Sequence, residues 1–399
     1  MTNTKIAIEM PTTPAEITAV WLTEALRSTG TIGIETAVSS LVVEPMNGAG
    51  YAGQVTRVVL TYNSSTTLPN TLIAKFSHPD PNVREALHDL YLREVHLYQT
   101  LMGDINLYTP ECYYSAVDAE SGHAILLLED LGHLRTGDIA QGCTVGDAEA
   151  VIAHFARHHA QWWEHPLLET DAYLKPDAVY DLDWLETYQG WWSQFEENVT
   201  MAHPDTYLPT AFLDLGKRAA QQLQALYNKV AATPFTLIHK DTHLDNLLFA
   251  TDENDPPLTV IDWQLCNAGP GVSDITYFMI SSMSVRQRRQ SEYRLIKIYH
   301  ALLLKHGITN YSFKQCWRDY RLAFFRNLVV TTAVIGLMDL TRPHAKAFIP
   351  ALVARLIAFA EDHAVSDFLV QHNEQVALET AVVDYLSTEF PHTIVPLYR

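Results

Sequence analysis

Of the 399 residues, 48% are hydrophobic, which supplies a core and excludes a mostly disordered chain; at roughly 150 residues per domain, two or three structural units are expected. Lys and Arg number 27 against 46 Asp and Glu, a formal charge of −19 that works against bare nucleic acid or an anionic membrane as partner. The four cysteines (Cys112, Cys143, Cys266, Cys316) are scattered without CxxC spacing, which excludes a disulfide framework and a zinc ribbon. The opening MTNTKIAIEMPTTPAE holds no signal-peptide core, and the apolar stretch 327–338 is shorter than the roughly 18 residues of a membrane span, so a soluble, cytoplasmic protein is expected.

In chain order, Thr13, Pro14 and Glu16 form a capping box ahead of a helix with Ile17, Val20, Trp21 and Ala25 on one face. Three strands follow, at 39–46, 54–62 and 71–76, the first two separated by a glycine-rich break. From residue 82 the period changes to three and four, which predicts an amphipathic helix to Leu101; two strands, 111–118 and 123–130, then close the β-rich part. Beyond Gly132 the pattern is helical at about 145–163, 209–229, 272–283, 286–305, 313–338, 346–364 and from 367, interrupted by short strand-like runs within 235–262. The expected class is α+β: a small β-rich N-lobe at 1–130 and a large, mainly helical C-lobe at 131–399.

The densest polar constellation is HKDTHLDN at 239–246, set between the apolar runs FTLI and LLFA, which would hold its carboxylates rigidly. Asp262 ends another apolar strand sixteen residues after Asn246. If TDENDPP at 251–257 is a hairpin turn, Asp262 returns beside Asp241 and Asn246, making an oxygen-rich site suited to magnesium with water and phosphate as further ligands. A polar surface turn would draw on the same residue types.

Gly48, Gly50 and Gly53 lie between two strands, not before a helix, so this is neither a Rossmann fingerprint nor a P-loop; a hairpin lid over phosphates remains, beside the plainer reading of an ordinary turn. Lys75 is the only charge in its strand, and Glu94 sits in the apolar stripe of the next helix. Each is unfavourable when buried unless paired, so each argues for the other as a kinase-type ion pair. The order of parts decides: glycine hairpin, strand lysine, helix glutamate, the strand ending Glu129-Asp130-Leu131, the Asp241/Asn246 loop, then Asp262. Each serves phosphoryl transfer from a nucleotide, where positioning and charge neutralisation carry the reaction.

With GAGYAGQVTRV (48–58), AKF (74–76), REVHLYQTL (93–101), LLLEDL (126–131), HHAQWW (158–163), HKDTHLDNLLF (239–249), VIDWQ (260–264) and GPGVSDITYF (269–278), the chain resembles the aminoglycoside phosphotransferase and choline kinase superfamily, and within it the ecdysteroid-kinase-like group. The resemblance implies a protein-kinase-like two-lobe fold and ATP-dependent transfer of the γ-phosphate to a small-molecule alcohol with Mg²⁺. It implies that Lys75, held by Glu94, binds the α- and β-phosphates under the 48–53 turn, and that backbone groups of Glu129 and Leu131 receive adenine. Asp241 would be the catalytic base, and Asn246 with Asp262 would hold magnesium. The chain departs at Lys240, where the family usually carries glycine.

Among the eight tryptophans, Trp184 and Trp192, with Tyr277, are candidates for an acceptor site on the helical side, where ring faces could stack on or cage an amine-bearing or aromatic alcohol; core packing is the alternative. The histidines, His158 and His159 included, read as packing or capping groups. Two other functions compete: a metallohydrolase using His239, Asp241, His243 and Asp245, and a nucleotide-binding pseudokinase. The first leaves Lys75, Glu94 and the glycine hairpin unexplained. No nucleic-acid or membrane partner is expected, and the chain would act as a monomer or homodimer.

Overall fold

A computed structural model describes residues 9–46, 52–176, 182–202, 206–231, 233–338, 340 and 343–369. A short 3-10 turn at Pro14–Glu16 precedes helix α1 (Ala19–Ser28), which is capped by Thr18 accepting the Trp21 N–H at 3.1 Å. Thr13, expected as the cap, makes no such bond, because Glu16 turns back to accept the Thr12 N–H at 2.7 Å and the chain leaves the helical path at Ile17.

Strands β1 (Val38–Pro45), β2 (Gly53–Tyr62) and β3 (Thr71–Ser77) come next. The single helix expected over 82–101 is two: α2 (Pro81–Ala86), capped by Asp80, and α3 (His88–Thr100), broken at Leu87, which leaves helical geometry at φ −104° and ψ 8°. Strands β4 (Cys112–Val117) and β5 (Ala124–Glu129) complete an antiparallel sheet of order β1-β2-β3-β5-β4.

Period-two alternation explains what each face of this sheet does. Leu72, Ala74 and Phe76 of β3, with Ile125 and Leu127 of β5, pack on Trp21, Leu22 and Leu26 of α1. The alternate residues Ala124, Leu126 and Leu128, with Ile73, pack on Tyr91 and Val95 of α3. Burying each leucine fully contributes roughly 1.5–3 kcal/mol. Lys75, two residues from Ile73, therefore projects toward α3, and that is how a lysine comes to stand in an apolar strand.

The rest is mainly helical: α4 (Val145–Gln161) after the short strand β6 (Arg135–Thr136), then α5 (Leu167–Thr170), α6 (Leu182–Ala202), α7 (Thr210–Gln221) and α8 (Leu223–Ala231). Short strands β7 (Thr236–Ile238), β8 (Leu247–Phe249), β9 (Leu258–Val260) and β10 (Asn267–Gly269) carry the 239–262 region, with β10 paired to β7 and β8 lying between β6 and β9. Helices α9 (Val272–Ser282), α10 (Val285–Lys305), α11 (Phe313–Leu322), α12 (Phe324–Gly336) and α13 (Pro343–Asp362) follow. The expected helices at 209–229 and 313–338 are each interrupted, and α6 had no clean apolar stripe to announce it. Residues 365–368 form a 3-10 turn where a final helix was expected, and the remainder of that expectation lies outside the described residues. No helix among the described residues is long and apolar enough to cross a membrane.

Two compact units emerge. One comprises Met1–Ala178 with Thr233–Tyr320, the other Val179–Ala232 with Arg321–Arg399. Strands 236–269 and helices α4, α9 and α10 belong to the same unit as the five-stranded sheet. In the second unit, α6 packs on α12, and Trp192 is 4% exposed with its ring stacked on Phe195 at 5.2 Å and Tyr188 at 6.1 Å. A Cβ on Gly216 would stand 2.0 Å from the Trp192 ring, so a glycine there makes room for the indole.

In the first unit, the buried His158 of α4 is within 3.0 Å of the Leu237 carbonyl, so Nε2–H donates and ties the helix to β7. Burial, with His159 alongside, pushes its imidazole down to about 3. The unfolded chain, titrating near 6.5, takes up a proton that the fold refuses, so stability is full above that value and falls as pH drops toward 3. This group should contribute a slope of about 1.4 kcal/mol per pH unit between pH 6 and 4. Urea titrations at pH 7.5 and 5 should show a smaller acid loss in His158→Gln, which keeps a donor at the Nε2 position; equal losses would place the acid sensitivity elsewhere.

Candidate active site

Lys75 and Glu94 meet as their sequence context demands. Lys75 Nζ lies 2.8 Å from the Glu94 carboxylate and 2.7 Å from Asp262 Oδ1. Burial alone would lower the lysine, but Asp262 and Glu94 together reverse this and hold its pKa above the ordinary lysine range. Glu94 is 1% exposed, so its charge has no water to fall back on. Helix α3 is further fixed by Arg93, which donates to the carbonyls of Tyr173 and Gln264, and by Tyr91, whose hydroxyl donates to the Ala52 carbonyl at 2.6 Å at the end of the glycine turn.

The 251–257 segment does bring Asp262 back. Strands β8 and β9 pair with Leu247 opposite Val260, and the Ile261 N–H donates to the Asn246 carbonyl at 3.1 Å. Asp262 adopts the left-handed conformation, φ 65°, an uncommon state for an L residue that turns its carboxylate to Lys75.

Asp241 is bound from two sides. Asn246 Nδ2 donates to Asp241 Oδ2 at 2.9 Å and to the Asp241 carbonyl at 3.0 Å, and His243 Nε2 lies 3.3 Å from Oδ2. Burial works to raise the Asp241 pKa, but His243, His239 and the Asn246 amide prevail and hold it well below the usual carboxylate range. Burial would likewise lower His243, yet the Asp241 carboxylate raises it to about 9. An ionised carboxylate in a short hydrogen-bonded loop can orient a hydroxyl group and accept its proton.

The residue that fixes this loop was missed. Asp274, fully buried in α9, accepts the His239 N–H at 2.7 Å and the Lys240 N–H at 2.9 Å, while Thr242 Oγ1 donates to its main-chain carbonyl at 2.7 Å. A signal existed: Asp274 is the only charge between Gly269 and Met283, the same anomaly that exposed Lys75. Lys240 stands at φ 71°, in the left-handed region, which explains why glycine suits this position. Lys240→Gly should therefore leave thermal stability unchanged or raised, whereas Lys240→Val should lower it by about 1–2 kcal/mol, measured as the urea midpoint shift. A valine variant as stable as wild type would deny the strain.

The metallohydrolase arrangement does not form. His239 spends Nε2 on the Ile261 carbonyl at 3.0 Å and Nδ1 on the Asp241 N–H at 3.3 Å, with its ring against Trp263, and no set of three His, Cys, Asp or Glu side chains among the described residues gathers as metal ligands.

Residues 47–308 match the ecdysteroid kinase-like family, two thirds of the chain and every part just described. The chain belongs to the ecdysteroid kinase-like family. No curated protein matches it closely. A solved protein of Ralstonia eutropha JMP134 assigned to the aminoglycoside phosphotransferases is similar at 16% identity and TM-score 0.50, over 86% of this chain and 97% of that one. Choline kinase of Cryptosporidium parvum Iowa II is similar at 11% identity and TM-score 0.49, over 82% and 92% of the two chains. The first of these likenesses shows the fold alone, which is α+β and protein-kinase-like.

In this ecdysteroid kinase-like chain the remaining expected residues are placed as follows. Gly48 and Gly50 lie outside the described residues. Gly53 opens β2, where a Cβ would stand 2.0 Å from the Phe76 carbonyl oxygen, so the close approach of β2 to β3 requires glycine. Glu129 uses its N–H on the Glu111 carbonyl and Leu131 its carbonyl on the Leu134 N–H. Between them Asp130 is clamped by Arg57, Nε to Oδ2 at 2.7 Å and Nη2 to Oδ1 at 3.2 Å, which fixes the segment to the sheet. Tyr277 lies one helical turn after Asp274, its ring 6.4 Å from the His243 ring. Trp192 is packed within the other unit, and Trp184 lies on α6 with its side chain outside the described part of the structure.

Proposed function

We propose that this protein transfers the γ-phosphate of ATP to a hydroxyl group of a small molecule. The observation that carries the reading is Lys75 held between Glu94 and Asp262, in one compact unit with the loop that fixes Asp241 and Asn246. A lysine so held offers its charge to the α- and β-phosphates without losing its place. Adenine would meet backbone groups of Glu129 and Leu131, at the end of the strand that Asp130 and Arg57 fix. Asp241 would orient the acceptor hydroxyl and take its proton.

The donor set fits magnesium. Asn246 spends its Nδ2 on Asp241, which leaves its amide oxygen as the cation ligand, and Asp262 supplies a carboxylate beside Lys75. Bound there, magnesium would neutralise charge on the β- and γ-phosphates. Tyr277, beside His243, would line the acceptor's approach to Asp241, and an amine-bearing or aromatic alcohol would gain from its ring.

Calorimetric titration of the full chain with MgATP tests this reading, since no binding at millimolar nucleotide would sink it. Asp262→Ala should weaken binding in magnesium and leave the weaker binding in EDTA unchanged; equal affinities in both variants and both buffers would remove Asp262 as a metal ligand.

A further inference from the structure

Glu94 reaches Lys75 from the face of α3 that also carries Tyr91 and Val95. Arg93 and His96, three residues apart and so neighbours on a helix, occupy a different face, and both end on one short segment, 171–174. Arg93 Nε donates to the Tyr173 carbonyl at 3.0 Å. His96 Nε2 lies 2.7 Å from Asp171 Oδ2 and donates there, because a carboxylate oxygen only accepts. The Asp171 carboxylate is itself fixed: Oδ1 accepts the Tyr173 N–H at 2.9 Å, and the Tyr173 ring lies against the His96 ring with centroids 4.6 Å apart.

The 171–174 segment is anchored in turn to the strands around the 239–246 loop. Leu174 is fully buried, and its carbonyl accepts the Ala268 N–H at 2.7 Å. Ala268 lies in β10 opposite Leu237 of β7, the strand that runs into that loop. Arg93 makes a second contact of the same kind, Nη1 donating to the Gln264 carbonyl at 3.4 Å, two residues beyond Asp262. Two cations thus bridge the same two elements. Lys75 joins Glu94 to Asp262, and Arg93 joins α3 to the chain just after Asp262.

We propose that Arg93 and His96 are positioning residues for Lys75, acting through Glu94: they anchor α3 to the 171–174 segment and to the chain after Asp262, and so set the spacing of the two carboxylates that hold the ammonium. Like charges on Glu94 and Asp262 push these elements apart, and an anchor spanning the same gap opposes that force. Side chains that only filled space between helix and segment would not need two guanidinium nitrogens on two carbonyls and an imidazole N–H on a carboxylate. The inference rests on the kinase reading for what Lys75 meets, but not for what holds it.

Two variants of the full-length chain test it. Arg93→Met keeps an apolar stem and removes the donors, and Asp171→Ala removes the acceptor of His96 while leaving α3 unaltered. Amide hydrogen exchange, followed by mass spectrometry, should rise over residues 88–100 at least about 5-fold in Arg93→Met and about 3-fold in Asp171→Ala, with helix 285–305 as control changing less than about 2-fold. Acetylation of Lys75 by acetic anhydride should quicken at least about 3-fold in both variants relative to the exposed Lys297, because the reagent reaches the 15% exposed Lys75 side chain more readily when α3 yields. Unchanged labelling of Lys75, or helix and control rising together, would make Arg93 and His96 packing residues and overturn the proposal. Should Arg93→Met not fold, Asp171→Ala decides by the same two readings. MgATP affinity should fall about 10-fold in Arg93→Met, and an unchanged affinity would overturn the proposal. A wild-type chain that binds no MgATP sinks the kinase reading alone, and exchange and labelling still decide on Arg93 and His96.

Discussion

Asp241→Asn is expected to lower turnover by at least about 10²-fold while MgATP affinity changes little, because the substitution removes a proton acceptor and leaves the phosphate-binding groups in place. The side chain keeps its volume and one oxygen to receive the Asn246 amide. What it loses is the negative charge that His243 faces at 3.3 Å, and with it the site for the acceptor's proton. On the proposed reading nucleotide affinity would depend instead on Lys75 and Asp262, which pair with each other. Calorimetry and steady-state kinetics on the same preparation separate the two effects. Near-normal turnover would remove Asp241 as the base. Equal losses in turnover and MgATP affinity would mean that the loop had collapsed, and the exchange pattern of residues 239–242 would show it.

Much of this site could be read from the sequence because burying charge is costly. A lysine alternating with Leu72, Ala74 and Phe76, and a glutamate in the stripe of Tyr91, Val95 and Tyr98, could be tolerated only together. The return of Asp262 followed from the polar turn between two short apolar runs. Asp274 obeyed the same logic in a run otherwise without charge, but a carboxylate whose partners are backbone N–H groups 34 and 35 residues earlier leaves no second side chain in the sequence to complete the pair. The contact of His159 with Asp274 was less legible still: neighbouring histidines on a helix look alike, yet His158 turns to Leu237 and His159 to Asp274. Alternating His and Asp suggest metal ligands, which made a metal cluster a competing reading for His243. Instead the loop turns at Asp241, where His239 accepts the main-chain N–H and His243 faces the carboxylate. Helix boundaries fared worst at Leu87, where the period of three and four continues across the break.

Removing Lys75 alone should destabilise the fold by about 3–5 kcal/mol, because Glu94, 1% exposed, would be left as an uncompensated buried charge. Asp262 suffers less. Its side chain is 30% exposed and can turn to water. Lys75→Met fills the same space with an apolar stem, so packing changes little and the loss reports on charge. Glu94→Gln alone should cost less, since it leaves the lysine with Asp262 at 2.7 Å. The double variant, Lys75→Met with Glu94→Gln, should recover much of the stability lost in Lys75→Met, because no unpaired charge then remains buried. The coupling energy from urea denaturation of the four proteins should therefore be at least about 2 kcal/mol. MgATP affinity should not recover, because both variants lack the cation that would meet the phosphates. Additive destabilisation would show that Glu94 does not depend on Lys75 for its charge, and nucleotide affinity restored together with stability would show that the lysine supports the fold and not the phosphates.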